Sequence, residues 1–267
     1  MSAPTSWKTA LTEATDEEVR IRGYDLRDLV GRISFAEGIL LMARGELPTP
    51  GEARVLEAIL VSVLDRGIVP CSIVTRYLAS SGAPLQAAVA GGILSFGDIY
   101  GGAGEQLAQA LADNIGAVRK GQASQEEAAR RVVRHFTDQG QRVPGYGSAV
   151  HRGGDPRVPR LFAVAEEGGV LSDHSHLAMA VEKELSQVRG RKLGINQDGA
   201  LAALCLDLRL DWRLMRPLAF IPRSAGLAMH ALEEMTRESG WRHVPNAEVT
   251  YDGPPPRPFP ARAGKDP

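Results

Sequence analysis

Cysteine is nearly absent: the 267 residues hold two, Cys71 and Cys205, both in helix-like apolar contexts. Neither their number nor their spacing suits a disulfide framework or a zinc site, so both are expected to be buried and reduced. Long apolar runs are missing too. No stretch reaches the roughly 18 residues that span a bilayer, and "MSAPTSWKTALTEATDEE" at the start has no apolar segment of the secretory kind. The expected location is the cytoplasm, with no membrane partner. Charge of one sign is also lacking, since 31 basic and 32 acidic residues leave -1, with no long run of either. That balance argues against the broad basic footprint of a nucleic-acid binder. Period-two alternation is scarce, which leaves no sheet of useful size, and no repeat of roughly 20–50 residues points to a solenoid.

What is present is helix. A chain of this length buries about three quarters of the surface its unfolded form exposes, enough for one large domain or two lobes. Three capping boxes, Ser34/Glu37, Thr49/Glu52 and Ser124/Glu127, each precede an apolar-periodic run. In the second, Pro50 takes the first helical position, Leu56, Ile59, Leu60 and Val63 share a face, and Gly67 is the expected C-cap. Further helices are predicted over Ile73–Ser80, Leu85–Leu94, Glu105–Val118, Pro156–Glu166, His174–Val188, Gly199–Leu208 and Ala225–Glu238. The stretch "VRIRGYDLRDLVGR" can hold a short hairpin. The fold class is mainly α. The proline-rich ending "YDGPPPRPFPARAGKDP" can form neither helix nor central strand and is either a solvated end or an extended arm.

One loop stands out. "RVPGYGSAVHRGGDPR", residues 142–157, gathers four glycines and two prolines around Ser148 and runs into a predicted helix headed by Asp155-Pro156. The amides of that helix start, with Arg152, Arg157 and Arg160, would suit a phosphate or carboxylate. A plain surface connection with solvated arginines explains the same residues, and both readings stay open on composition.

The string "VPGYGSAVHRGGDPR" resembles, without a gap, the citrate synthase family segment V-P-G-[YF]-G-H, four residues to Arg, then D-P-R. Four more stretches are similar to that family in its own order: "GYDLRDLVGRISFAEGILLMARGELP", "GGILSFGDIYGGAGE", "GINQDGALAAL" and "FIPRSAGLAMHALEE". Together they cover residues 22 to about 253, and the short citryl-CoA lyase-like members resemble it most. The resemblance implies an all-helical homodimer. Residues 1–103 and 208–267 would form a large domain, and 104–207 a smaller one that closes over the cleft. In such dimers the tail of one subunit can reach the other, which favours an arm at 253–267.

The implied chemistry joins or splits a carbon–carbon bond beside a coenzyme A thioester through an enolate. Asp198 stands where the family's proton-abstracting aspartate does; its alternative is a cap at the head of the helix from Gly199. Tyr100 stands where the enolate-stabilising histidine is expected, and a tyrosine hydroxyl can donate to an enolate oxygen, as in the well-studied ketosteroid isomerase. Ser148 takes the place of the proton-donating histidine; its neutral hydroxyl can position a water or carbonyl but not shuttle protons as imidazole does. Arg66, in "DRGIVPCS", replaces a third histidine, and its permanent charge favours a carboxylate.

Arg157 and Arg223 match carboxylate-gripping positions, and Arg152 one that contacts CoA phosphates. The arginine that crosses the dimer just before the tail is not evident in "NAEVTYDG". His135, His151, His174, His176 and His243 fall outside the motifs, and His230 matches a structural position. His174-Ser175-His176 lacks metal spacing and reads as a solvated helix start, so no metal is expected. The expected partners are an acyl-CoA and a carboxylate-bearing small molecule. Three functions follow: a carbon–carbon lyase or acyltransferase on a non-citrate substrate, a CoA-thioester enzyme limited to α-proton transfer or hydrolysis, or a non-catalytic acyl-CoA binder.

Overall fold

All three capping boxes form. In the computed structural model, which describes residues 7–148, 151 and 154–259, Ser34 Oγ accepts from the Glu37 amide at 3.2 Å and Glu37 Oε2 from the Ser34 amide at 2.6 Å. The same reciprocal pairs open the helices headed by Thr49 and Ser124. Each satisfies two amides that a helix start leaves without partners. Removing one by Ser34→Ala should cost about 1 kcal/mol. Urea unfolding followed by circular dichroism should show a lower midpoint with an unchanged slope.

After a small sheet come helices α1 (Leu26–Leu29), α2 (Phe35–Arg44), α3 (Pro50–Ser62), α4 (Pro70–Ser80), α5 (Leu85–Leu94), α6 (Ala103–Arg119), α7 (Gln125–Thr137), α8 (Arg157–Glu167), α9 (Asp173–Arg189), α10 (Gln197–Asp207) and α11 (Met215–Arg237). The mainly α expectation holds. The expected hairpin pairs β2 (Val19–Ile21) with β3 (Tyr24–Asp25). Arg22 and Gly23 between them both take positive φ, the geometry that matches strand twist in a two-residue turn. A third strand, β1 (Thr12–Ala14), pairs with β2 in register Thr12↔Ile21.

Three local expectations fail. Helix α3 stops at Ser62, so Gly67 is not its C-cap. Ser62 Oγ turns back onto the Ile59 carbonyl, and the Asp65 carboxylate takes the Gly67 amide into a separate turn. Helix α11 begins ten residues ahead of Ala225 and continues through Pro222, which removes one backbone donor without ending the helix. His174 is not solvated: it is buried, with Nδ1 2.9 Å from Asp207 Oδ1. Asp207, at the end of α10, also accepts from the amides of Ser172, His174 and Ser175 and so caps α9 from a distance. Burial alone would raise the Asp207 carboxyl, but these hydrogen bonds hold it below its ordinary range.

The core centres on α10. Every residue from Gly199 to Leu206 is buried, as expected for a helix apolar on all sides. Leu56 of α3, Leu107 and Leu111 of α6, Val132 of α7, Leu161 of α8, Leu177 of α9 and Leu218 of α11 belong to the same continuous cluster. Both cysteines are buried and free. Among the described residues no helix is long and apolar enough to cross a membrane. Residues 249–259 are irregular and exposed.

Candidate active site

The loop at 142–148 is stitched to the start of α10 through its backbone. The Asn196 amide donates to the Gly145 carbonyl at 2.9 Å, the Gly147 amide to Gly194 O at 2.8 Å, and Asn196 Nδ2 to Gly147 O at 2.7 Å. Two glycines make this possible. Gly145 lies at φ +82°, and a Cβ on it would sit 2.9 Å from Gly199 Cα, while a Cβ on Gly199 would strike the Gly145 carbonyl. The result brings Ser148 to the same cleft as Asp198.

Asn196, not Asp198, caps α10 by accepting the Gly199 amide, so the Asp198 carboxyl is spared that duty. It is partly buried, and among the described residues no side chain or amide hydrogen-bonds to it. Burial pushes it above the ordinary carboxylate range, opposed by the charges of Arg66 and Arg157 and reinforced by Asp155.

Arg66, Tyr100, Ser148, Arg157, Asp198 and Arg223 all line one cleft of about 290 Å³, brought there by α4's leading loop, the α5–α6 turn, the 142–148 loop, α8, α10 and α11. Every predicted site residue within the described part of the chain is there. Arg152 lies outside the described residues. Among the described residues, no group of three His, Cys, Asp or Glu side chains is placed to hold a metal ion.

The arginines differ in how free they are. Arg157 is held by Asp155, which accepts its Nε at 2.9 Å and its Nη2 at 2.7 Å, as well as the amides of Arg157 and Gln197. A carboxylate of the chain itself thus occupies the α8 start. Arg160 faces away and pairs with Glu167 at 3.1 Å, so it is no part of the anion cradle that the loop sequence allows. Arg223 is buried, donating from Nε to the Val63 carbonyl at 2.9 Å and from Nη1 toward Cys71 Sγ at 3.7 Å, with no carboxylate partner among the described residues. Arg66 is exposed on the rim.

Tyr100 packs its ring 5.3 Å from that of Phe96 and places its hydroxyl 3.3 Å from Cys71 Sγ. Burial and the neighbouring Cys71 push its phenol well above the ordinary range, so it stays protonated and able to donate. Ser148 Oγ accepts from the His151 amide at 2.9 Å.

Three features escaped the sequence. Cys71 lies behind the cleft against Tyr100 and Arg223, and Gln197 lines it, reaching Ser62 Oγ with Nε2 at 2.5 Å while its buried Oε1 has no partner among the described residues. A second hollow of about 830 Å³ adjoins the cleft, sharing Gly147, Ser148, Asp155 and Asn196, and carries Arg142, His151, Arg189, Arg191 and Lys192. Its signal was the basic run "RGRK" just ahead of "LGINQD".

Comparison with known proteins fits this geometry. The profile of the family described as "Citrate synthase, C-terminal domain" matches residues 34–243. The structure of citryl-CoA lyase from Hydrogenobacter thermophilus superposes with a TM-score of 0.86 at 38% identity, covering 95% of this chain and 97% of that one. A relative from Mycobacterium tuberculosis is 32% identical over 220 residues, 79% of this chain and 54% of its own length. Citrate synthase 2 of Bacillus subtilis is 25% identical over 202 residues, 75% of this chain and 52% of that protein. The chain therefore spans about half the length of these curated relatives. ATP citrate lyase of Methanothrix soehngenii, at 22% identity and a TM-score of 0.80, shares the fold over 96% of this chain and 43% of its own. With the family profile matched over most of its length and a lyase structure reproduced across nearly all of both chains, this chain belongs to the citrate synthase family.

Proposed function

We propose that the chain makes or breaks a carbon–carbon bond beside a CoA thioester through an enolate, on a substrate other than citrate. The observation that carries this is the convergence of Asp198, Tyr100, Ser148 and three arginines, from separate elements, on one cleft in which the Asp198 carboxylate has no hydrogen-bond partner among the described residues. Asp198 removes the proton α to the thioester carbonyl. The carbonyl oxygen gains negative charge as the proton leaves, and the Tyr100 hydroxyl donates to it. Arg223 and Arg66, neither in a salt bridge among the described residues, hold the acceptor's carboxylate, while Arg157 adds charge already balanced by Asp155. Ser148 orients the acceptor carbonyl or a water.

The adjoining basic hollow suits coenzyme A. Arg142, Arg189, Arg191 and Lys192 supply donors for a diphosphate and a sugar phosphate, and the space opens at Ser148 onto the cleft. Arg152, which lies outside the described residues, matches in sequence a position that contacts CoA phosphates in the family and would add a further phosphate contact. Arg152→Ala should weaken CoA-thioester binding by about 1.5–3 kcal/mol, the usual loss for a charged hydrogen bond. Isothermal calorimetry with acetyl-CoA checks this, and unchanged affinity removes Arg152 from the site.

The proposed lobes, 1–103 with 208–267 and 104–207 between, would close over the cleft. A homodimer completes the reading, supported by exposed apolar side chains on α4 (Ile73, Tyr77) and α11 (Met229, Leu232, Met235) that a second copy would cover. The deciding experiment offers the protein a panel of CoA thioesters with and without keto acids in deuterated water, following α-deuteration, thiol release and product mass. Product with a new or broken carbon–carbon bond supports the proposal. Deuteration alone marks a proton-transfer enzyme, thiol release alone a hydrolase, and binding without either a non-catalytic acyl-CoA binder.

A further inference from the structure

We propose that Cys71 is a positioning residue that orients the Tyr100 hydroxyl, accepting from Arg223 and donating to the phenol oxygen so that the phenol's own proton is directed into the cleft. The inference rests on the enolate reading of Tyr100 and adds a residue to it.

Cys71 is the second residue of α4 and is fully buried, so its thiol meets only protein. Two groups flank the sulfur: Arg223 Nη1 at 3.7 Å and the Tyr100 hydroxyl at 3.3 Å. A guanidinium can only donate, so toward Arg223 the sulfur is an acceptor. A thiol has one hydrogen, and the nearer partner left for it is the Tyr100 oxygen. Once that oxygen accepts from the thiol, its own proton must point elsewhere, and Tyr100 lines the cleft that holds Asp198. The three groups form a chain of hydrogen bonds running from a fixed positive charge to the place where negative charge develops, an arrangement in which each bond polarises the next. No proton leaves Cys71; its contribution is direction and polarity.

The next residue cannot substitute. Ser72 Oγ is committed to a local turn, donating toward the carbonyls of Gly67 and Val69 at 2.7 and 2.9 Å and accepting from the Val69 amide at 2.8 Å. With the ring resting on Phe96, the thiol supplies the second point that fixes the phenol.

The test has two arms. In the first, α-deuteration of a bound thioester is measured with wild-type, Cys71→Ala and Cys71→Ser proteins. Cys71→Ala should lower kcat by about threefold to tenfold with KM nearly unchanged, and Cys71→Ser, which keeps a donor, should recover most of the loss. In the second, protein labelled with ¹³Cζ-tyrosine gives a Tyr100 signal, identified by its loss in Tyr100→Phe. That signal should move in Cys71→Ala and stay near its wild-type position in Cys71→Ser. If Cys71→Ala does not fold by circular dichroism, Cys71→Val, which fills the space without a donor, takes its place. A Tyr100 signal that ignores loss of the thiol overturns the proposal. So does a kcat loss that serine fails to recover. Wild-type protein that deuterates no thioester overturns the enolate reading itself, and with it any effect of Cys71 on the reaction, while the shift still reports whether the hydrogen bond exists.

Discussion

Asp198→Asn is expected to cut α-proton exchange by about 10²–10⁴-fold while CoA-thioester affinity stays within a factor of a few, because the amide keeps the shape of the carboxylate but cannot take a proton. Deuterium incorporation followed by NMR, with calorimetry alongside, gives both numbers. Equal loss of binding and exchange would mean that Asp198 shapes the cleft rather than acting as its base. The pH dependence has a definite sign. Burial raises the Asp198 carboxyl in the folded protein, so it holds its proton to higher pH than an exposed aspartate does. Exchange needs the ionised form and should fall with acid at a pH above the ordinary carboxylate range. Stability runs the other way: a carboxyl raised by burial costs nothing below its unfolded pKa, and stability is lost as pH rises from there through the folded pKa. Asp198→Asn removes that cost, so at neutral pH it should melt no lower than wild type.

Tyr100→Phe should slow the same exchange by roughly 10²–10³-fold, the loss that follows deletion of one donor aimed at a developing oxyanion. The ring keeps its contact with Phe96 and only the hydroxyl goes, so the fold should be unchanged by circular dichroism. An exchange rate within about twofold of wild type would take Tyr100 out of the chemistry and leave the oxyanion to Arg223 or to backbone amides.

Much of this architecture was readable from short-range pattern. The capping boxes at Ser34, Thr49 and Ser124 are relations of three residues, so the sequence displays them directly. The site residues were readable one motif at a time, each from its neighbours. Their convergence was not, because Arg66 and Arg223, 157 residues apart in sequence, meet only at a cleft built from several separate elements. Where an expectation failed, the deciding partner was distant. Asp207 caps α9 from 33 residues beyond His174, and nothing near His174 announces that it will be buried. Cys71 and Tyr100 are 29 residues apart, and a single cysteine in an apolar helix shows no sign that its sulfur faces a phenol. Gly67 misled for the opposite reason: a nearby Asp65 captured its amide before the helix could use it.

The junction between the 142–148 loop and α10 has a further meaning. It is built mostly from main-chain donors and acceptors and from two glycines in contact, with the Asn196 side chain adding a tie to the Gly147 carbonyl. The seats of Ser148 and Asp198 are therefore set by parts that do not depend on which reactive group sits in them. Such a chassis lets the side chain at position 148 be exchanged while the spacing between the two seats persists. New reactivity can then arise by swapping the tools while the workbench stays where it is.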